Sequence, residues 1–402
     1  MTFYTTSGSL EKTKTPTNCD VSKKSIKRKN SSTDSEEHCK KKKKTEPGYP
    51  TATSASSINT NIRDVFQFKY EEQELLGNGG FSSVFAGYRK EDNVKVAIKR
   101  VPQSKVERVP KVLNGKMSDV PLEVEMLIQV GAAPQEQSSS TTPALLDWFD
   151  GEDELILVFE RTNPCMDLLD YLNWKLVRRP EREVKVILKQ LVDAAIEMLS
   201  RGVFHRDIKL ENILIEKGTD APRLRFIDFG CATTCTPEEV FTVCTGTKVY
   251  TPPELHQHHC CMAGPTTVWQ LGVVMYGLLH RKLPFRTSRG IMCNHPLILS
   301  EFSEDCKDFL RGCLTKDPQL RLTLERLQGH AWLKYPQPGV LLLVVFSFLS
   351  YRSPTGRTGD TLTPGPKSQR EVITNEVSMQ GCKWLINAGS REDGEVIELR
   401  EK

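Results

Sequence analysis

At 402 residues with 38% hydrophobic side chains, the chain has room for two or three domains of ordinary size and enough apolar material to fill a core. A net charge of +4 singles out no partner, although the positive charge is concentrated locally. Twelve cysteines are dispersed without a CxxC pair and the first ten residues lack an apolar core, so a secreted disulfide scaffold is excluded and a reducing compartment, cytoplasm or nucleus, is expected.

Residues 1–65 are rich in Ser, Thr and Lys and show almost no apolar periodicity, which predicts a disordered tail. Lys27-Arg28-Lys29 and the run from Lys40 to Lys44 have the spacing of a bipartite nuclear-localisation signal, whose partner is an import receptor. The competing reading is a solvated basic tail with loose affinity for polyanions. A specific nucleic-acid binder explains nothing that follows residue 60.

Order is expected from about Phe66. Strand signals (Phe68-Lys69-Tyr70, then Leu75-Leu76) lead into LGNGGFSSV at 76–84, and the alternating Val94-Lys95-Val96-Ala97-Ile98 leads to Lys99. Gly77, Gly79 and Gly80 free the backbone to approach a phosphate and offer N–H groups, with Phe81 at the tip. A glycine loop alone is equally a hairpin turn. Here Gly77 lies 22 residues before Lys99, the spacing a strand–turn–strand unit needs to bring a lysine beneath the same phosphates.

The segment 121–130 reads as a helix, the Ser/Gln-rich stretch 131–143 as a long exposed loop, and 181–201 as a long amphipathic scaffold helix with apolar residues at 184, 187, 188, 191, 195 and 199. Then comes HRDIKLEN at 205–212 and IDFG at 227–230. Asp207 is followed five residues later by Asn212 and after sixteen more by Asp228, which supplies one group to orient a hydroxyl and two oxygen ligands for hard divalent cations. That is equipment for phosphoryl transfer.

These motifs, in this order, resemble those of protein kinases. The resemblance implies an α+β bilobal fold: a small antiparallel β lobe with one main helix, about 66–160, and a larger helical lobe, about 161–334, with ATP and Mg²⁺ between them. It assigns Asp207 to the substrate hydroxyl, Lys209 to the transferring phosphoryl group, and Asn212 and Asp228 to the metal. Nucleotide contacts are expected from Leu76, Gly77, Asn78, Gly79, Gly80, Phe81, Ser82, Ser83, Val84, Ala97 and Lys99. Ser82 departs from the family's GxGxxG pattern, and this departure motivates the competing reading of a pseudokinase serving as a binding or scaffolding module. Lys99 needs a carboxylate partner. Glu123 and Glu125 lie about 200° apart on a helix, and placing Leu122 and Met126 inward selects Glu123, leaving Glu125 as a solvated charge.

From 145 to 172 the sequence is similar to the PIM family of serine/threonine kinases, as are VFHRDIK, TPPE at 251–254 and VWQLG at 268–272. The resemblance covers about 66–334 and implies transfer to Ser or Thr of protein substrates without a need for activation-loop phosphorylation. Thr267 stands where most kinases carry an aspartate. Asp167, Asp170 and Glu211 are the expected carboxylates for basic residues N-terminal to the acceptor. The family's hinge proline is replaced by Thr162, so the carbonyl of Glu160 and the N–H of Thr162 are both available to adenine. Thr247 is expected against Asp207 and Lys209, His205 and Phe229 as packing, Glu254 with Arg321 as an ion pair, and Cys231, Cys235 and Cys244 as free thiols. Two expectations stand for 335–402: a segment packed on the large lobe, or one that does not fold. Its twelve-residue apolar run at 340–351 makes about 18 Å of helix against roughly 30 Å of hydrocarbon, so no membrane span is expected. The expected state is a monomer.

Overall fold

The computed structural model describes residues 62–80, 82–113, 115–132, 141–161, 164–174, 179–216, 223–243 and 245–334, and the backbone of strands at 373–379, 382–391 and 394–401. The basic clusters, Phe81, Thr162, Cys244 and the apolar run at 340–351 lie outside the described residues.

The small lobe opens with a helix where the sequence suggested a disordered tail to residue 65 followed by a strand. α1 (Ile62–Lys69) ends where β1 (Tyr70–Asn78) begins. Phe66 on α1 stacks on Tyr70 at 5.9 Å between ring centroids and meets Phe149 edge-on at 5.5 Å, so the aromatics expected in a strand instead lay a helix across the sheet. β2 (Ser83–Arg89), β3 (Lys95–Pro102), β6 (Leu145–Asp150) and β7 (Glu154–Glu160) complete an antiparallel sheet of order β1-β2-β3-β7-β6. Alternation along β3 sorts its side chains. Val96 and Ile98 are fully buried in the cluster with Phe66 and Phe149, and the opposite face carries Ala97 and Lys99.

Between β3 and the lobe's helix the chain inserts a hairpin, β4 (Arg108–Leu113) and β5 (Lys116–Pro121), which the sequence reading did not separate out. α2 (Leu122–Gln129) follows directly on Pro121. The expected exposed loop at 131–143 is corrected at both ends, since Gly131, Ala132, Thr141, Thr142 and Pro143 are buried. The carbonyl of Thr141 accepts the N–H of Phe226 at 2.8 Å and the Thr141 hydroxyl donates to Glu197, so these backbone groups find partners inside the protein.

The large lobe packs around two helices. α4 (Glu181–Ser200) follows β8 (Cys165–Asp167) and α3 (Leu168–Trp174), and buries Val184, Ile187, Leu188, Leu191 and Ala195 along one stripe. Next come β9 (Val203–Phe204), β10 (Ile213–Glu216), β11 (Arg223–Phe226), β12 (Thr233–Thr234) and β13 (Val240–Phe241), short strands flanking the catalytic motifs. After α5 (Pro253–His258) and β14 (Cys261–Met262), α6 (Ala263–His280) is buried on every side from Thr266 to His280 and forms the lobe's central post. α7 (Ser288–Cys293), α8 (Glu304–Cys313) and α9 (Leu324–Gln328) pack beside it. Arg321 grips Glu254 through two hydrogen bonds of 2.8 and 2.7 Å with both side chains buried.

In the tail, β15 (Ile373–Met379), β16 (Cys382–Arg391) and β17 (Gly394–Glu401) form an antiparallel sheet of their own. Among the described residues no helix is long and apolar enough to cross a membrane.

Candidate active site

The face of β3 that carries Lys99 also collects its cross-strand partners. Val84 of β2 lies opposite Lys99, and Ala86 opposite Ala97. On the β7 side, Leu157 pairs with Lys99 and Phe159 with Ala97. Phe159 ends this apolar ceiling one residue before Glu160. In sequence it reads only as one more apolar strand residue.

Lys99 is almost completely buried, and its ammonium donates to Glu123 at 2.6 Å and to Asp228 at 2.6 Å. Burial opposes the charge, but the two carboxylates overcome it and hold Lys99 protonated well above the ordinary lysine range. Burial likewise works against the Asp228 carboxylate, and the Lys99 charge and hydrogen bond outweigh it, so Asp228 stays ionised below its usual range. Asp228 holds a left-handed backbone conformation (φ 65°), which costs a non-glycine residue energy and turns its carboxylate to the lysine. Glu125 is not the solvated charge expected. It is largely buried and pairs with Lys111 from the β4–β5 hairpin.

The catalytic loop is fixed by its own polar groups. Asp207 accepts the N–H of Thr247 at 2.8 Å on one oxygen, and on the other the Lys209 ammonium at 2.8 Å and the Asn212 amide at 3.1 Å. Lys209 also donates to the Thr247 hydroxyl at 2.9 Å, and the Asn212 amide to the carbonyl of Asp207 at 2.9 Å. Because the Asn212 NH₂ is spent on Asp207, its carbonyl oxygen is the atom left for a ligand. Arg206 sits at φ 66° with its guanidinium on the carbonyl of Cys231. His205 is buried, kept neutral by that burial, and packs 4.9 Å from Phe229. Burial pushes the thiols of Cys231 and Cys235 upward, and among the described residues no cluster suits a metal ion outside the catalytic motifs.

The donor set fits a nucleotide with a hard cation. Asp228 and Asn212 offer oxygen atoms, and two lysines offer positive charge. An added Cβ at Gly77 or Gly80 meets nothing within 4 Å, so the loop above is open to a bound phosphate. The loop is a tight hairpin with Asn78 opposite Ser83 and Gly77 opposite Val84, closed by the N–H of Gly79 on the carbonyl of Ser82 at 2.8 Å. Leu76 is exposed beside a bulge in β1.

Glu160 ends β7 with its side chain turned away from any nucleotide role. It accepts the N–H of Ala144 and pairs with the fully buried Arg225 of β11, and the Arg225 charge holds it below the usual carboxylate range despite burial. Arg225, unnoticed in the sequence, also lies 3.1 Å from Glu216. On the other side of the catalytic loop, Asp167 caps the start of α3 by accepting the N–H of Asp170 at 2.8 Å. Partial burial, with the carboxylates of Asp170 and Glu211 nearby, pushes Asp167 up to about 6. The three predicted substrate carboxylates therefore share one neighbourhood. Arg281 donates to the carbonyl of Leu172 in α3 at 2.6 Å.

The protein kinase domain family matches residues 70–333, so the chain belongs to the protein kinases. Among its relatives, serine/threonine-protein kinase pim-2 of Danio rerio is 34% identical over 280 residues, covering 68% of this chain and 87% of that protein. Serine/threonine-protein kinase prk-2 of Caenorhabditis elegans is 33% identical over 273 residues, covering 67% of this chain and 59% of that protein. A PAS domain-containing serine/threonine-protein kinase of Mus musculus is 30% identical over 278 residues, 67% of this chain and 19% of that protein.

Proposed function

We propose that this protein is an active serine/threonine kinase of the PIM-like branch, transferring the γ-phosphoryl group of ATP to Ser or Thr of proteins that carry basic residues before the acceptor. The observation that carries the reading is the doubly anchored Lys99, bonded at once to Glu123 and Asp228, beside an Asp207 whose two oxygens are both held. Bound magnesium, with Asp228 and Asn212 as its ligands, would neutralise the charge that gathers on the phosphates. The protein's own groups do the rest. Lys99 holds the phosphates beneath the glycine loop, Asp207 orients the acceptor hydroxyl and receives its proton, and Lys209 offers positive charge to the transferring group. Activity ahead of any activation-loop modification belongs to the same reading and rests on the PIM-like resemblance alone.

Arginine three residues before the acceptor is expected to pair chiefly with Glu211, and more distal arginines to matter little because the positive charge of Arg281 beside α3 opposes them. In the same reading the basic clusters at 27–44 serve nuclear import. Phosphoamino-acid analysis of a labelled protein substrate should yield phosphoserine and phosphothreonine, and a peptide array should lose signal when the arginine at minus three becomes alanine. Phosphotyrosine as the main product, or an array indifferent to that arginine, would overturn the assignment of acceptor or of substrate class respectively.

A further inference from the structure

The loop that presents Asp207 runs over the buried post α6, and a single polar side chain of that helix reaches it. Gln270 is 1% exposed, its amide nitrogen donates to the carbonyl of Arg206 at 2.8 Å, and its amide oxygen lies 3.4 Å from the N–H of Ile208. The two bonded groups flank Asp207 in the chain. A carboxamide is suited to this position because it donates and accepts at once, whereas a carboxylate offers acceptors only. Thr266 and Thr267, four and three residues earlier on the same helical face, are also buried, yet neither hydroxyl finds a partner. Arg206, Thr266 and Gln270 line one small cavity, so the Thr266 hydroxyl stands beside the loop without holding it.

The backbone that Gln270 grips is strained. Arg206 has φ 66°, and Gly246 (φ 89°) presses so close from the other side that an added Cβ would lie 2.5 Å from the Arg206 carbonyl oxygen. A non-glycine residue in this region is kept there only by surrounding contacts. We infer that Gln270 is a positioning residue for phosphoryl transfer: its amide clamps the Arg206 carbonyl and the Ile208 N–H, and so fixes where Asp207 meets the acceptor hydroxyl. This rests on the kinase reading above for its catalytic consequence, but the clamp itself does not.

The test uses the full-length protein with Gln270→Met, which keeps the volume and removes both bonds, and Gln270→Glu, which keeps the shape but sets an acceptor against the Arg206 carbonyl. Hydrogen exchange at the Ile208 amide should quicken about tenfold while exchange along α6 is unchanged, and kcat should fall about tenfold with the ATP dissociation constant within twofold of wild type. Thr267→Val, which removes an unpartnered hydroxyl from the same face, should change neither reading. If Gln270→Met does not fold, Gln270→Glu supplies both. A folded Gln270 variant with wild-type exchange at Ile208 and wild-type kcat overturns the inference. Wild-type protein that transfers no phosphoryl group would defeat the kinase reading instead, and the exchange measurement would still decide the clamp.

Discussion

The catalytic loop and the glycine loop face the same cleft and are built in opposite ways. Around Asp207, both carboxylate oxygens, the flanking carbonyl of Arg206 and the amide of Asn212 are committed to partners, and the strained backbone is wedged between Gly246 and α6. Around Gly77 to Ser83, one backbone turn and one exposed bond from Ser83 to Asn78 close the hairpin, and open space surrounds Gly77 and Gly80. Groups that act on a reacting atom need fixed positions, because small displacements cost large factors in rate. A cover over a nucleotide must admit and release it, and low local contact density permits that. The same residue type, glycine, therefore has different meanings in the two places: Gly246 is required by close approach, whereas a side chain at Gly80 would meet only open space.

The largest effect is expected at Lys99, which bonds to Glu123 and Asp228. Lys99→Met should lower kcat about 10³-fold while leaving the protein folded, because no neighbouring cation can replace its charge on the phosphates. Thermal melting beside steady-state kinetics would check this, and retention of a tenth of the activity would contradict it. Next in size is Gly246→Ala. Its Cβ would collide with the Arg206 carbonyl in a left-handed conformation, so turnover should fall about 10²-fold and stability by roughly 1–3 kcal/mol. Urea denaturation together with kcat would read both effects, and an unaltered kcat would show that the loop is not held as tightly as its contacts imply.

The acidic neighbourhood gives a smaller effect. Asp167 takes up a proton at about 6, so its negative charge is present above that pH and lost below it. The ratio of kcat/KM for an arginine-rich peptide over its alanine counterpart should fall by no more than about twofold between pH 7.5 and about 5.5, since Glu211 carries most of the pairing, and Asp167→Asn should flatten that dependence. A ratio independent of pH in wild type would remove Asp167 from substrate recognition. Smallest is Gly80→Ala: with nothing within 4 Å of the new Cβ and no positive φ to forbid it, stability should rise by about 0.5 kcal/mol and kcat should hold. A fall in the melting temperature would mean that the glycine loop is more tightly packed than its open surroundings indicate.

How much of this was legible in the sequence depended on whether a residue's role is local. The two-lobed α+β fold followed from motif order, and Glu123 was separable from Glu125 because two residues on a helix differ by about 200°. The fate of Glu125 was not legible, since its partner Lys111 sits on a hairpin that no motif announces. Of helix α1, residues 62–65 were read as disordered tail and Phe68-Lys69 as strand, because its apolar partners, Tyr70 and Phe149, lie outside the helix itself. Thr141 and Thr142 were read as exposed from a Ser/Gln-rich composition, but their carbonyls serve β11, a contact made across more than eighty residues. Phe159 and Gln270 hid in apolar runs, where composition says core and only geometry says site.

On the proposed function, the Lys99–Glu123–Asp228 cluster and the clamped Asp207 make this protein an enzyme and not a nucleotide-binding scaffold. The most direct measurement is incorporation of labelled phosphate into a basic Ser/Thr peptide by the purified full-length protein with ATP and Mg²⁺, run beside Asp228→Asn. The account predicts turnover by wild type at least about 10²-fold above the variant, with both proteins melting at similar temperatures. Wild-type incorporation no higher than that of Asp228→Asn would contradict it.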